Sequence, residues 1–287
     1  MKSNGNPRRH IFLRLLLIVF TIVILAPVAA TVLYSFRSPA EIQAYLSSRG
    51  GYDPKVWMDI HFAPKMFSLN QYYQILITDT SVLKMFVNSV VYAALILLGQ
   101  MVVIPMMAYA LSRFEFRGRE AIFFGILMLM LLPFQVTMVP NVLMLRRMGL
   151  LNTVWAVVLP MWFSPFYVFL LRQYMLGLPD ELAEAASMDG AGTIRVYLHI
   201  VMPVCRTIIG AAVALSFADC WNLVEQPITY LTQRTDLYPL SVMFNQLMSQ
   251  NSGVEFAGAT LYILPALFVY LFFLKDILSG VQLTELK

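Results

Sequence analysis

Long apolar runs almost free of charge recur along this chain, and no other feature limits its fold as strongly. A helix rising about 1.5 Å per residue needs roughly 20 apolar residues to cross about 30 Å of hydrocarbon. Runs of that length lie at about 12–36, 85–112, 121–145, 148–171, 204–225 and 256–275, with Asp219 the one charge between Arg206 and Glu225 in the fifth. Lipid offers no hydrogen-bond partner, so a spanning backbone must satisfy itself, and helices do so within one segment. The strands of a membrane barrel would alternate polar and apolar residues, and these runs do not. The expected fold is an all-α membrane protein with six transmembrane helices.

Composition removes the competing classes. Of 287 residues, 59% are hydrophobic and 13% charged, where a soluble domain carries about 25% charge. With a mean hydropathy of +0.71, neither a pair of soluble domains nor a disordered chain fits. The net charge of +4 would suit nucleic acid if the arginines clustered. They lie between apolar runs instead, so the expected surroundings are a lipid bilayer and no nucleic acid. Cys205 and Cys220 stand fifteen residues apart on one expected helix. That spacing is about 22 Å, too far for a disulfide, so both are read as packing residues.

Lys and Arg set the direction of the spans. With the N-terminus inside, twelve cations fall on the cytoplasmic side and eight outside, five of the eight in one long connection. Arg146 and Arg147, in a short outer turn, run against the rule locally. Both termini are therefore expected in the cytoplasm. The first run follows Lys2, Arg8, Arg9 and Arg14 as a signal peptide would, but it exceeds the apolar core of about 7–15 residues that such peptides have. It is read as an uncleaved first helix. Seven prolines (27, 105, 133, 140, 160, 165 and 265) fall within the runs, which membrane helices tolerate where neighbours satisfy the freed carbonyls.

Three connections exceed turn length: the outer segments 37–84 and 225–255, and the inner segment 172–206. Outer connections this long suit a surface that receives an extracellular partner. The inner one is the most informative. Leu178-Pro179-Asp180-Glu181 reads as a helix start, with two acids at the positive end of the dipole. Leu182, Ala185, Ala186 and Asp189 recur at helical spacing. Asp189-Gly190 reads as its end, because glycine takes the left-handed cap without cost. Thr193 is expected to cap a second short helix through Ile200, and Pro203 leads into the fifth run.

Glu184-Ala185-Ala186, three residues, Gly190, nine residues, Ile200, one residue, Met202-Pro203 resembles the EAA signature of binding-protein-dependent ATP-binding-cassette importer permeases. Met202 stands where that signature usually has Leu. Phe67-Ser68-Leu69 with Tyr72, Gly149-Leu150-Leu151-Asn152-Thr153, and Phe217 with Trp221-Asn222 are similar to the carbohydrate-uptake branch, the smaller membrane subunit of maltose-type importers. The likeness covers roughly 10–280, and the C-terminus departs from that branch's glycine-rich ending. The resemblance implies a type I importer permease fold, one transmembrane domain over 1–287 with a cytoplasmic coupling loop. It implies a bacterial plasma-membrane location and a second, non-identical permease subunit. It also implies a cytoplasmic ATPase dimer and an extracellular solute-binding protein that delivers a sugar or oligosaccharide. Glu184, Ala185, Ala186, Asp189, Gly190 and Pro203 would then form the ATPase-coupling element.

No lysine follows a glycine in this chain, so no phosphate-cradling loop ending in Gly-Lys exists here. ATP hydrolysis is expected in a separate subunit, with no cofactor, metal or catalytic residue in this one. His10, His61 and His199 are far apart in sequence, which disfavours an intramembrane metalloenzyme. An ion-coupled carrier would place ionisable groups in several spans, and here only Asp219 lies deep. That carrier, and an importer for a non-sugar solute, remain the alternatives. The expected substrate pathway is the polar face of the fifth span: Asp219, Asn222 and Glu225 at three-residue spacing, with Trp221 as a ring on which a sugar can stack.

Overall fold

The computed structural model describes residues 7–38, 40–42, 64, 66–78, 80–243 and 254–284. Half of the first outer segment, Asn251 with the rest of 244–253, and the last three residues of the tail lie outside the described residues. The chain divides into two compact units, Met1–Leu83 with Phe244–Ile263, and Lys84–Met243 with Leu264–Lys287. All regular structure among the described residues is helical.

The first unit holds α1 (Pro7–Tyr34), α2 (Asn70–Tyr73), a π turn at Gln74–Thr78 and the start of a long final helix. Residues 11–28 of α1 are exposed, a surface suited to lipid and not to water. Its end is fixed by Gln71, which has no exposed surface. The Gln71 amide donates to the carbonyls of Tyr34 (2.9 Å) and Arg37 (2.8 Å) and accepts from the Ala257 N–H (3.2 Å). Phe36 stacks on Phe67 at 4.9 Å, and Ser35 shares a hydrogen bond with the Tyr72 hydroxyl at 2.7 Å. From Asn70 the chain makes one α-turn running into the π turn, and this segment clamps the end of α1.

The second unit holds α3 (Thr80–Arg113), α4 (Arg119–Met130), α5 (Phe134–Arg147), α6 (Val154–Met161) and α7 (Pro165–Leu176). It continues through α8 (Glu181–Met188), α9 (Thr193–Val196), a π turn at Tyr197–Val201, α10 (Met202–Val204), α11 (Arg206–Trp221) and α12 (Glu225–Tyr230). The last helix, α13 (Glu255–Thr284), ends in this unit. Four helical stretches are long and apolar enough to cross a membrane, and six when each of two bent pairs counts as one span. The third expected run, 121–145, is two helices meeting at 108°. The break falls at Pro133, extended at ψ 152, because proline has no N–H to give and disfavours helix in the residue before it. The fourth starts at Val154, later than expected, after a turn with Gly149 and Asn152 at positive φ, and it runs on to Leu176. The fifth is entered through a 74° bend between α10 and α11 and ends at Trp221.

The Gly149-Leu150-Leu151-Asn152-Thr153 run has a structural task. Gly149, at φ +68, closes α5 with the Gly149 N–H on Arg146 O and the Leu150 N–H on Leu145 O, the paired bonds of a Schellman turn. Asn152 then donates its N–H to Tyr230 O and accepts the Gln233 N–H on its side chain. One apolar core joins α3, α4, α7 and α11 through Ile104, Ala108, Phe123, Leu171, Cys205 and Ile208. Both cysteines are buried and free.

Candidate functional site: the α8 corner and the polar face of α11

The segment between α7 and α11 forms a helical corner. α8 starts after Pro179, with Asp180 at the cap position. The Asp180 side chain does not cap α8; its carboxylate takes the Arg113 guanidinium of α3. The corner itself is a second Schellman turn. Gly190 sits at φ +80, its N–H bonds Ser187 O (3.0 Å), and the Ala191 N–H reaches back to Ala186 O (2.9 Å). Only glycine takes that φ at no steric cost, which is the physical content of the Asp189-Gly190 stop. Thr193 is the first residue of α9 and not its cap; Gly192 holds the cap position. The expected single helix to Ile200 passes through the π turn and α10, carrying Pro203 with it, before the bend at Cys205.

α8 buries none of its residues. Ala183, Ala186 and Ala191, with Leu178, lean on the core, and the small size of the alanines lets the helix lie close to it. Glu184, Ala185, Asp189, Gly190 and Pro203 are exposed. Beside them Leu182 is open, as are apolar side chains that the sequence did not single out: Met188 is 89% exposed and Ile194 74%, with Leu198 also open. A short helix that presents Met and Ile instead of burying them is built to be covered by something else.

The expected pathway residues do not all share one face. Asp219, Asn222 and Glu225 are exposed, while Trp221 is 1% exposed. Trp221 stacks on Phe217 at 5.4 Å and meets Phe86 edge-on at 5.9 Å. Two residues along a helix is a turn of about 200°, so Trp221 points away from Asp219. It is a core residue of this unit, and no sugar ring can stack on it as the side chains lie. Glu225 belongs to α12, because α11 ends at Trp221 and Asn222 closes it.

The exposed polar groups are held in place. Tyr167 of α7 donates to Asp219 Oδ2 at 2.7 Å. Asn222 donates to Ala218 O at 2.8 Å. Gln135 of α5, which the sequence did not single out, donates to Glu225 Oε1 at 2.8 Å. Behind this face, Ser216 hydrogen-bonds to Gln100 of α3, whose amide donates to Met161 O at 2.7 Å. A carboxylate on a spanning helix costs several kcal/mol against lipid. The Asp219 side of α11 must therefore meet water or another polypeptide.

A bent-helix permease core with an exposed Ala-rich corner defines a class, and known proteins agree with it. The family described as the inner membrane component of binding-protein-dependent transport systems matches residues 100–275, and the chain belongs to it. Membership implies work with an ATPase and a solute-binding protein, and the EAA signature is characteristic of the family. The chain is similar to the arabinooligosaccharides transport system permease protein AraQ of Bacillus subtilis, at 27% identity over 97% of this chain and 96% of that one. It is also similar to the diacetylchitobiose uptake system permease protein NgcG of Streptomyces coelicolor, at 30% identity over 93% and 85%. In fold it matches a bacterial ABC transporter involved in the import of the acidic polysaccharide alginate. There the TM-score is 0.79 at 22% identity, over 96% of this chain and 98% of that one.

Proposed function

We propose that this chain is one of two membrane subunits of an ATP-driven importer that takes an oligosaccharide from an extracellular binding protein. The α8 corner carries the reading: a short helix closed by Gly190 at φ +80, burying none of its residues and presenting Met188. Such a corner suits insertion into a partner, and in this reading the partner is a cytoplasmic ATPase dimer. Glu184, Ala185, Ala186, Asp189, Gly190 and Pro203 make the contact element, with Met188 and Ile194 as its apolar anchors. The whole chain acts as one permease domain in a bacterial plasma membrane, with both termini in the cytoplasm, as the Lys and Arg distribution favours.

Asp219, Asn222 and Glu225, with Gln135, face the substrate pathway that this chain shares with a second, non-identical permease. Carboxylates and amides offer both acceptors and donors to sugar hydroxyls. The energy comes from the ATPase subunits, and this chain carries out no chemistry of its own. The oligosaccharide class rests on the arabinooligosaccharide and diacetylchitobiose relatives.

The test is uptake of labelled arabinotriose and N,N′-diacetylchitobiose into proteoliposomes holding the complex isolated through a tag on this chain. Accumulation that needs ATP and the binding protein, and survives an ionophore, supports the importer. Uptake that follows an ion gradient without ATP would establish the carrier reading instead.

A further inference from the structure

Two arginines cross-cap two helices directly beneath the α8 corner. Arg113 closes α3, and its Nη2 donates to the carbonyls of Met175 and Leu178, both at 2.9 Å, at the end of α7. Its Nη1 meets the Asp180 carboxylate one residue before α8. Arg172, one turn before the end of α7, answers in the other direction. Its Nε donates to Leu111 O of α3 at 3.0 Å, and its Nη2 to Glu120 Oε1 of α4 at 2.8 Å. Its guanidinium lies 3.7 Å over the Phe123 ring of α4. Arg172 thus fills the Leu111 carbonyl that the end of α3 leaves open, Arg113 adds a second donor to Met175 O beside the Leu178 N–H, and each places positive charge at a negative helix end.

The ion pairs alone are not the substance of this arrangement. Asp180 is 78% exposed and Glu120 64%, and exposed pairs contribute little. The carbonyl bonds are different, because Arg172 is 5% exposed and its side chain is held on every side by α3, α4 and the ring. A planar fork can bridge the Asp180 carboxylate and two carbonyls at fixed angles, which a lysine ammonium cannot.

We infer that Arg113 and Arg172 form a clasp that sets the angle of α8 against α3 and α4, so that a push on α8 moves those helices as one body. Arg113 and Arg172 are positioning residues in this inference, and its consequence for transport rests on the reading of α8 as the docking helix. The clasp's geometry stands apart from that reading and has its own test.

Spin labels are placed on cysteines introduced at exposed positions of the full chain in lipid nanodiscs. The test pair is Ser187→Cys with Leu143→Cys, and the control pair is Met128→Cys with Leu143→Cys. The native cysteines are buried and take no label. Arg113→Lys broadens the test-pair distances and leaves the control pair unchanged; Asp180→Asn broadens them less, and Asp180→Glu restores the wild-type width. An unchanged test pair overturns the clasp, and so does equal broadening of both pairs, which marks general loosening. In the proteoliposome assay, Arg113→Lys lowers sugar imported per ATP hydrolysed by between about twofold and thirtyfold, the range seen for mutations along coupling networks. An unchanged ratio in a working complex overturns the clasp alone, whereas a wild-type complex in which a photo-crosslinker at Met188 captures no ATP-binding polypeptide overturns the docking reading while the label distances still decide the clasp.

Discussion

Replacing Gly190 separates a conformational requirement from a spatial one. At φ +80 a side chain is strained, yet a Cβ built on Gly190 meets nothing within 4 Å in this chain. The cost is therefore backbone strain without a clash, roughly 1–2 kcal/mol for an ordinary L-residue held in the left-handed region. That is a factor of about 5–30 in the population of the turn. α8 has eight residues and none is buried, so little else holds its end, since isolated helices below about 12–15 residues are marginal. Asparagine tolerates the left-handed region better than alanine, and β-branched valine tolerates it least. ATP-driven uptake per incorporated permease should fall in the order Gly, Asn, Ala, Val, with alanine losing a few-fold to about thirtyfold. Transport that instead follows side-chain size, with alanine above asparagine, would mean that Gly190 is needed for room against a partner and would refute the argument from φ.

Trp221→Ala should destabilise the second unit by about 3–5 kcal/mol, the usual cost of emptying a buried aromatic site, because Trp221 is 1% exposed. A lowered melting temperature in detergent, with sugar preference unaltered in whatever complex survives, is the expected result. Asp219→Asn keeps an acceptor for the Tyr167 hydroxyl, so assembly should persist while uptake or sugar preference shifts; a loss of assembly alone would make Asp219 structural. Asp236 lies outside the spans, and the hydrogen bond from Arg234, opposed by desolvation and aided by the charges of Arg234 and Lys84, holds its carboxyl below the ordinary value of 3.8. A depressed folded pKa stabilises above the unfolded value and loses that effect as pH falls through the folded one. The small melting difference between wild type and Asp236→Asn should therefore be constant near neutrality and close as pH falls below 3.8; a difference that widens on acidification would contradict the assignment.

The sequence exposed the parts of this fold that depend on local chemistry. The apolar runs located the helical stretches because lipid dictates length and charge, and Asp189-Gly190 revealed the corner because only glycine rests easily at that φ. What it hid depends on distant neighbours. Arg113 and Arg172 read as inner-side charges, and nothing in their spacing announces that each reaches the other's terminal carbonyls some sixty residues away in the chain. Gln135 gave no signal, because its partner Glu225 stands ninety residues on. Trp221 was legible and was misread: adjacency to Asp219 and Asn222 suggested a shared face, whereas helical rotation by about 200° puts it in the core. Pro133 was visible inside the third run, but whether a proline bends a membrane helix or breaks it depends on which neighbours accept the freed carbonyls.

If α8 is where this permease meets its ATPase, a photo-crosslinking amino acid at Met188 will capture that partner. Met188 is 89% exposed on the corner, and Phe268, 72% exposed on α13, serves as the lipid-facing control. In intact cells, irradiation should join position 188 to one polypeptide that binds ATP, and position 268 should give no such product. Capture of an extracellular binding protein at position 188, or of lipid alone, would contradict the claim.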